Sequence, residues 1–304
     1  MAADTLATTA FRAMGSSCSI VAAPHLIEDG QRRVEALEQR WSRFISTSDI
    51  SKLNMAGGQP VAVDESTLTL LEHSVRAWQA TDGYFDPTLL PALLKFGYVA
   101  SRDEPRRQTS LPSSAVAGGN PAGIVVDRTS NKVALPFAMT IDPGGIGKGL
   151  AADIVVRELV ASFPECGALV EIGGDLSVLG PAPEGAWHVD VWNADRTQAL
   201  HRVVLREGGI ATSTRKLRTW ITDEGEPAHH LVDPVTHTPT RNGVAACTVI
   251  AGTCGWAEAF TKVAFAAHST DDAIERLEHR SLAALVTNDD GHEFATTNWK
   301  TFAR

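Results

Sequence analysis

Short β-branched and apolar runs dominate the sequence from Gly123 onward, and this feature restricts the possible folds more than any other. Glycine, proline and polar turns separate the runs, which is typical of short strands. Helical patterns interrupt the strands irregularly rather than in strict alternation. Long series of strands with scattered helices indicate layers of antiparallel sheet and packed helices, not a doubly wound parallel sheet. We therefore predict an α+β fold.

The spacing of apolar residues predicts the order of the elements. Strands are predicted over residues 17–23, 123–127, 132–135, 139–142, 167–172, 175–179, 187–192, 201–205, 209–212, 217–221, 244–251 and 283–287. Helices are predicted over residues 28–44, 66–81, 146–162, 256–267 and 271–279. The polar, proline-containing residues 101–123 are expected to form a surface loop. One of two interpretations of residues 81–88 is a helix stop in which Asp86 caps a further helix, with Pro87 at its first position.

The composition excludes two classes of partner. The 304 residues are 43% apolar and 21% charged, as in a globular protein with a substantial core. A net charge of −9 disfavours binding to the phosphates of nucleic acid. No apolar run reaches the ~18 residues that a membrane helix needs, so membrane insertion is not expected.

The N-terminal segment and the cysteines both favour a cytoplasmic location. The first ten residues lack a basic segment followed by an apolar core, so neither a signal peptide nor a lipoprotein anchor is expected. The four cysteines form no Cys-x-x-Cys pair and are expected to be free thiols rather than disulfides or a zinc site.

Residues 141–153, Ile-Asp-Pro-Gly-Gly-Ile-Gly-Lys-Gly-Leu-Ala-Ala-Asp, are the most informative candidate for ligand binding. They follow a predicted strand and open a predicted helix, where glycines let free backbone amides approach a phosphate. Lys148 would add a compact positive charge. The spacing matches neither a Walker A loop nor the dinucleotide fingerprint. The alternative is a tight strand-to-helix turn, which the flanking Asp142 and Asp153 make less attractive.

Three further segments carry candidate chemistry, each with a simpler alternative. Residues 229–236 place a histidine at the end of a short strand, where it could act as acid, base or phosphate contact, or belong to a surface turn. In residues 81–88, two adjacent aromatic side chains could stack on a ligand while Asp86 binds its polar groups. Alternatively, the segment ends one helix and caps the next. Glu258 and Lys262 share one helix face as an exposed ion pair, although their apolar surroundings indicate partial burial.

Several short motifs follow one another over nearly the whole chain. They are Met14-Gly-Ser16, Phe44 with Ser48-Asp-Ile-Ser-Lys-Leu-Asn54, Gly83-Tyr-Phe-Asp-Pro-Thr88, Asp142 to Asp153, Ile172-Gly-Gly-Asp175, Ala211-Thr-Ser213 and His230-Leu-Val-Asp-Pro-Val-Thr236. In order and spacing they resemble the motifs of the ApbE-type FAD:protein FMN transferase family. Each motif is weak alone, and their shared order makes the resemblance specific.

The resemblance implies a fold, an activity and its cofactors. The implied fold is a T-fold-related set of layered antiparallel sheets with packed helices, in a single domain over residues 1–304 or in two lobes with the FAD site between them. FAD is the implied substrate and Mg²⁺ the implied metal. FMN passes to a Thr or Ser hydroxyl of a partner flavoprotein, and AMP leaves. The alternatives are an FAD pyrophosphatase giving FMN and AMP, and a non-catalytic FAD-binding protein.

The resemblance also implies the site residues, position by position. FAD contacts are implied for Met14, Phe44, Tyr84, Phe85, Asp86, Asp142, Lys148, Ser213 and Leu231. The implied catalytic residues are His230 and Asp233. The implied metal ligands are the carbonyl of Gly147, Glu258 and Thr261. The chain has no Ser/Thr-Gly-Ala-Ser/Thr acceptor segment, so modification of itself at such a motif is not expected.

Departures from the family pattern put the metal in question. Glu258 replaces the Asp of the family's metal helix, and Lys262 replaces its Thr. A lysine ammonium has no lone pair with which to coordinate a cation. Either Thr261 reaches the metal through a helix shift, or Lys262 supplies the charge that a metal would give, paired to Glu258. His237 and Thr214 each replace a usual glycine.

Overall fold

The computed structural model describes residues 6–303 and divides them into two compact units, which are considered separately. The first unit comprises the described parts of Met1–Glu35, Lys148–Leu217 and Arg241–Arg304. The second comprises Ala36–Gly147 and Arg218–Thr240. The expected cytoplasmic location was argued in part from the first ten residues, and residues 1–5 lie outside the described residues. No helix within residues 6–303 has the length and hydropathy needed to span a bilayer.

The described residues form fifteen strands and seven α-helices. The strands are β1 (Ala7–Ala13), β2 (Ser16–Ala22), β3 (Val61–Ala62), β4 (Val125–Asp127), β5 (Lys132–Ala134), β6 (Ala168–Ile172), β7 (Asp175–Leu179), β8 (Trp187–Trp192), β9 (Ala199–Leu205), β10 (Gly208–Thr214), β11 (Thr219–Ile221), β12 (Pro227–His229), β13 (Val244–Ala251), β14 (Ala283–Asn288) and β15 (Glu293–Ala295). The helices are α1 (Ile27–Trp41), α2 (Asp49–Met55), α3 (Glu65–Ala80), α4 (Leu90–Lys95), α5 (Gly147–Ser162), α6 (Cys254–Ala266) and α7 (Thr270–His279).

The first unit is built on one eight-stranded sheet with the order β1-β2-β6-β7-β10-β13-β14-β15. Every neighbouring pair in this sheet is antiparallel. Helix α6 packs on β10 and β13, and α7 packs on β14. The predicted α+β class with layered antiparallel strands is therefore confirmed.

The two faces of this sheet bury different groups. One face joins the β8–β9 hairpin in an apolar core made of Leu176, Val178, Trp187, Val191, Val203, Leu205, Ile210, Ile250, Ala283, Leu285 and Trp299. Ile210 and Ile250 are paired across β10 and β13 and face this core. Side chains alternate along a strand, so the paired Ser213 and Cys247 point to the opposite face, toward α6. The apolar layer stabilises the sheet, while the α6 face is free to carry polar groups.

The second unit contains α2, α3 and α4 with two small antiparallel sheets, β3-β5-β4 and β11-β12. Helix α2 begins at an N-cap, Ser48, whose side chain accepts a hydrogen bond from the N–H of Ser51. Helix α3 begins in the same way at Asp64, which accepts from the N–H of Ser66. Local capping therefore fixes where both helices start.

The predicted strand over residues 139–142 is wrong. The side-chain amide of Asn54 takes the place of a neighbouring strand at Ile141. Its Oδ1 accepts from the Ile141 N–H at 2.7 Å, and its Nδ2 donates to the Ile141 carbonyl at 2.9 Å. The next N–H, that of Asp142, donates to the carbonyl of Pro87 at 2.9 Å. Because these partners satisfy the backbone of Ile141 and Asp142, no neighbouring strand is needed here.

The predicted helix start at Pro87 is also wrong. The Asp86 carboxylate caps a turn instead, accepting from the Thr88 N–H at 2.7 Å and from its hydroxyl at 2.6 Å. Helix α4 begins at Leu90, with Pro91 in its first turn. The other predicted strands and helices are present within a few residues of their expected bounds, and residues 101–123 form the expected loop, ending in a 3₁₀ turn.

The four thiols are free, as predicted. Cys18, Cys247 and Cys254 are buried, and Cys166 is partly exposed. Burial raises the pKa of Cys247 to about 12 and that of Cys254 well above its usual value. The raised pKa keeps Cys247 and Cys254 protonated, and therefore unreactive, near neutral pH.

Candidate active site

Two tight turns meet at one end of the eight-stranded sheet. Met14 and Gly15 connect β1 to β2 with φ angles of 52° and 63°, the left-handed conformations of a two-residue hairpin turn. Gly173 and Gly174 connect β6 to β7 in the same way, with φ angles of 66° and 90°. The Gly173 N–H donates to the carbonyl of Ser17 at 2.9 Å, which places both turns side by side.

Lys148, near the start of α5, bridges two buried carboxylates beside these turns. Its Nζ contacts the carboxylate of Asp175, the first residue of β7, and Oε1 of Glu258 in α6 at 2.5 Å. Oε2 of Glu258 accepts from the backbone N–H of Gly149 at 2.8 Å. Asp175 is 3% exposed and Glu258 is 1% exposed. Burial raises the pKa of Glu258, and the Lys148 ammonium opposes that rise.

A second ammonium, that of Lys262, lies on α6 one turn after Glu258. Nζ of Lys262 donates to Ser213 Oγ at 3.0 Å, to Thr261 Oγ1 at 3.1 Å and to the backbone carbonyl of Glu258 at 2.9 Å. The two hydroxyls bond to each other at 2.6 Å. Thr261 is fully buried, and Ser213 is 8% exposed. The interpretation of Glu258 and Lys262 as an exposed ion pair is therefore wrong.

Asp153 fixes the start of α6. Its carboxylate accepts from the N–H groups of Cys254 at 2.9 Å and Gly255 at 2.8 Å, and from the hydroxyl of Ser177 at 2.7 Å. Free backbone amides at a helix N-terminus stabilise an anion. Burial nevertheless raises the pKa of Asp153 above its ordinary value. Through these bonds the last residue of the glycine-rich motif positions α6.

The second unit holds a buried arginine within a series of aromatic rings. The guanidinium carbon of Arg43 lies 4.1 Å from the ring centroid of Phe44 and 4.7 Å from that of Tyr98. The Tyr98 ring stacks on Trp220, with centroids 5.3 Å apart and planes 25° apart. Nε of Arg43 lies 3.6 Å from Asp142 Oδ2. Burial lowers the pKa of Arg43, and Asp142 opposes that change.

Asp142 and Asp86 each hold a turn with one carboxylate oxygen in this unit. Oδ1 of Asp142 accepts from the Gly144 N–H at 2.9 Å and caps the 3₁₀ turn Pro143–Gly145. Oδ1 of Asp86 holds Thr88 through two bonds. Burial raises the pKa of Asp86. Both motifs therefore present a carboxylate at a fixed turn.

The adjacent histidines at the end of β12 have different environments. His229 uses both ring nitrogens within its own segment: Nε2 lies 3.0 Å from the Thr240 carbonyl, and Nδ1 accepts from the Leu231 N–H at 3.3 Å. His230 follows β12 directly and is partly buried, with Nδ1 inside the protein. His229 is therefore a structural residue, and His230 is the candidate for chemistry.

The turn after these histidines is closed by Asp233. Its Oδ1 accepts from the N–H groups of Val235 and Thr236, both at 2.8 Å. His237, which stands where the family usually has glycine, has a φ angle of 55°. This is a left-handed conformation, which glycine adopts without strain. The His237 ring lies directly against the Cα of Gly118.

Comparisons with known proteins agree with these motifs and this fold. Residues 14–286 match the model of the ApbE family. The chain belongs to the ApbE family. An FAD:protein FMN transferase of Vibrio cholerae is 26% identical over 278 residues, which cover 89% of this chain and 82% of that protein. A protein of the same name from Treponema pallidum is 28% identical over 235 residues, covering 72% of this chain and 64% of that protein.

Solved structures of ApbE proteins share the fold. The ApbE protein of Thermotoga maritima superposes with a TM-score of 0.85 at 25% identity, covering 98% of this chain and 99% of that one. The apo flavinyl transferase ApbE of Pseudomonas stutzeri gives a TM-score of 0.79 at 23% identity, covering 98% and 96%. The ApbE-like fold class implied by the sequence resemblance is thereby confirmed, and its division into one domain or two lobes stays a prediction.

The residues implied by the resemblance occur in both units. The first unit carries Met14, Lys148, Ser213, Glu258 and Thr261. The second carries Phe44, Tyr84, Phe85, Asp86, Asp142, Gly147, His230, Leu231 and Asp233. Phe85 is 2% exposed and Leu231 5%, so both belong to the core, whereas Tyr84 is only partly buried. Their roles toward FAD stay predictions.

Two charged residues of these clusters were not predicted from the sequence. Asp175 binds Lys148, and Arg43 lies between two aromatic rings. Asp175 is the last residue of the Ile-Gly-Gly-Asp motif, and Arg43 directly precedes Phe44. Both residues could have been proposed from the sequence, because each is a charged residue at the edge of a motif that carried the resemblance.

The side chains implied as metal ligands do not fit Mg²⁺. Magnesium prefers an octahedron of oxygens at about 2.1 Å. Lys148 and Gly149 engage both carboxylate oxygens of Glu258. The hydroxyl of Thr261 already accepts from Lys262. Over residues 6–303, no three His, Cys, Asp or Glu side chains are grouped in a metal-binding arrangement.

Proposed function

We propose that this chain is an FAD:protein FMN transferase, which moves FMN from FAD to a Thr or Ser hydroxyl of a partner flavoprotein and releases AMP. The observation that carries the proposal is the match of residues 14–286 to the ApbE family. The Vibrio cholerae relative of that name, aligned over 89% of this chain, supports it. The free buried thiols support a reducing, cytoplasmic location.

In the first unit, the proposed contacts to FAD are Met14, Lys148 and Ser213. They lie where strands of the main sheet end or turn and where α5 begins. Backbone amides at such positions suit the phosphates of a dinucleotide.

In the second unit, the proposed contacts are Phe44, Tyr84, Phe85, Asp86, Asp142 and Leu231. Phe44 packs against Arg43 and Tyr98, which hold its ring in place, so that its contact with a flat heterocycle costs little side-chain entropy. The carboxylates of Asp86 and Asp142 are fixed by turns and offer acceptors to ligand N–H or O–H groups.

The proposed chemistry is an in-line displacement at the phosphorus of the FMN half of FAD. The acceptor hydroxyl oxygen forms the new bond to phosphorus, and the bond from phosphorus to the bridging oxygen breaks. AMP leaves with that oxygen. His230 takes the proton of the hydroxyl, and Asp233 keeps the adjacent turn closed.

The test uses the purified chain, FAD and a flavoprotein subunit that carries a Ser/Thr-Gly-Ala-Ser/Thr segment, prepared without its flavin. We expect the subunit to gain the mass of one FMN moiety while an equal amount of AMP appears. The matched control replaces the last Ser/Thr of that segment by Ala. FMN and AMP without a modified subunit would favour the FAD pyrophosphatase, and bound FAD with neither product would favour the non-catalytic alternative.

A further inference from the structure

We infer that Lys262 is a built-in cation: its ammonium occupies the position of a metal ion among the oxygens of Ser213, Thr261 and Glu258, and FAD turnover by this chain needs no added Mg²⁺. Only the activity readout of this inference rests on the proposed function. The occupancy of the site is tested separately below.

The three oxygens around Lys262 suit the donors of a charged ammonium. An ammonium offers three N–H donors and no acceptor, and three oxygens accept from this one at 2.9–3.1 Å. Thr261 donates its single proton to the Glu258 carbonyl at 2.6 Å. The hydroxyl of Ser213 must then donate to Thr261 and accept from Lys262. Each proton in this set has an acceptor.

The same three oxygens would otherwise form a site for a hard cation. Two hydroxyls and one carbonyl are neutral oxygen donors of the kind that bind divalent cations. They converge on one point, and that point holds nitrogen at hydrogen-bond distance. A metal ion would have to displace the ammonium, because the two cannot share the space.

The charges nearby favour one resident ammonium over a divalent ion. Lys148 bridges the carboxylates of Asp175 and Glu258, and Lys262 adds the second positive charge. The two ammonium groups therefore balance the two carboxylates. A divalent ion in place of the Lys262 ammonium would leave one uncompensated positive charge in a site where unpaired charge is expensive. Without Lys262, one negative charge would remain for a metal to neutralise.

The first experiment uses the wild-type chain alone. FAD turnover is measured as AMP release with excess EDTA and with saturating MgCl₂. We expect rates that agree within about twofold, since the charge a metal would supply is already present. Turnover that stops in EDTA and returns with MgCl₂ would overturn the inference.

The second experiment measures Mn²⁺ binding by electron paramagnetic resonance on the full chain. Lys262→Thr removes the ammonium and adds an oxygen donor, so we expect it to gain one tight Mn²⁺ site over wild type. Lys262→Met removes the charge but leaves the space filled by its side chain and adds no oxygen donor, so it should bind Mn²⁺ more weakly than Lys262→Thr. Lys132→Thr, at an exposed lysine of β5, controls for the loss of one positive charge. Equal Mn²⁺ binding by wild type and Lys262→Thr would overturn the inference.

The variants also separate charge from packing in FAD turnover. We expect Lys262→Met to lose about 10²-fold in rate in both EDTA and MgCl₂, and Lys262→Thr to recover only with MgCl₂. Full activity of Lys262→Met in EDTA would contradict the inference. If wild type turns over no FAD under any condition, the proposed function fails, while the Mn²⁺ result still decides whether Lys262 holds the cation position.

Discussion

Met14 has a backbone conformation that its side chain does not favour. It occupies the first position of a hairpin turn with a φ angle of 52°, where Asn or Gly is the usual residue. A left-handed conformation at another residue costs of order 1 kcal/mol and is retained mainly at functional sites. Seven other non-glycine residues in the described part of the chain also have a positive φ angle, so the role of the Met14 side chain rests on the family resemblance.

Replacing Met14 by Asn should stabilise the fold and weaken FAD binding. Asn-Gly is the preferred pair for this turn, so we expect the free energy of unfolding to rise by about 1 kcal/mol in denaturant titrations. Ser281→Asn, at another exposed residue with a φ angle of 53°, is the control that should gain stability with unchanged FAD affinity. Unchanged FAD affinity in Met14→Asn would show that the methionine does not contact the ligand.

Replacing His230 by Ala should reduce transfer much more than FAD affinity. A lost general base costs about 10²–10⁴ in rate, and we expect the dissociation constant of FAD to change little. Single-turnover transfer and FAD titration separate the two effects. The matched variant His229→Ala should instead lower stability, because it removes the contacts to Thr240 and Leu231. Equal losses of transfer and FAD binding in His230→Ala would make His230 a binding residue.

Asp153 should give the protein a measurable pH dependence of stability. Its pKa is raised by burial, so in the folded state it holds its proton to higher pH than in the unfolded state. Stability from this group therefore falls as pH rises from its ordinary value of 3.8 through the raised pKa, and is constant above it. Asp153→Asn lacks this titration, so its stability relative to wild type should improve from pH 4 to pH 7. A difference that does not change with pH would contradict the raised pKa.

At the scale of elements, α5 and α6 approach each other closely because Gly149 has no side chain. A Cβ at this position would lie 2.5 Å from the carbonyl oxygen of Cys254 and 2.7 Å from the nitrogen of Gly255. Both contacts are to backbone, which cannot move as a side-chain tip can. The contact also brings the Gly149 N–H to the Glu258 carboxylate at 2.8 Å.

Gly149→Ala should therefore separate the two helix starts. We expect a loss of about 1–3 kcal/mol in the free energy of unfolding, as for other overpacked interiors. Gly252→Ala is the matched control, since a Cβ there meets no atom within 4 Å. Thermal and denaturant unfolding of both variants measure the effect. Equal free energies of unfolding for the two variants would show that α5 and α6 can move apart without loss of stability.

Elements with strong local signals could be predicted from the sequence, and those held by distant side chains could not. Strand β13 was predicted from its continuous apolar run, and seven of its eight residues are buried in the structure. The helix after it, α6, was predicted as well. The seven-residue α2 was missed, since it is too short to show a helical period. Residues 139–142 have the composition of a strand, but Asn54, far away in the sequence, takes both backbone hydrogen bonds of Ile141, and Pro87 takes that of the Asp142 N–H.

The same distinction applies to the candidate site. The motifs that carried the resemblance are mostly turns, such as those at Gly173 and Asp233, whose residue types are fixed by local geometry. These turns can therefore be predicted from a single sequence. The partners of Lys148 and Lys262 come from strands and helices that are distant in the chain, and only the folded structure shows that Asp175 and Ser213 bind these ammonium groups.

At the scale of the whole molecule, the fold and the chemistry rest on different observations. The family match and a TM-score of 0.85 to the Thermotoga maritima protein establish the fold. Many folds carry more than one chemistry, so the activity depends on the particular residues in each unit. The binding of FAD is the property common to transfer, hydrolysis and simple binding.

Titration of the purified full-length chain with FAD, followed by isothermal calorimetry in EDTA, is the most direct test of this account. We predict stoichiometric binding of one FAD per chain without added metal, with the Met14→Asn variant binding more weakly. A chain that is folded by circular dichroism but takes up no FAD, with or without MgCl₂, would contradict the account.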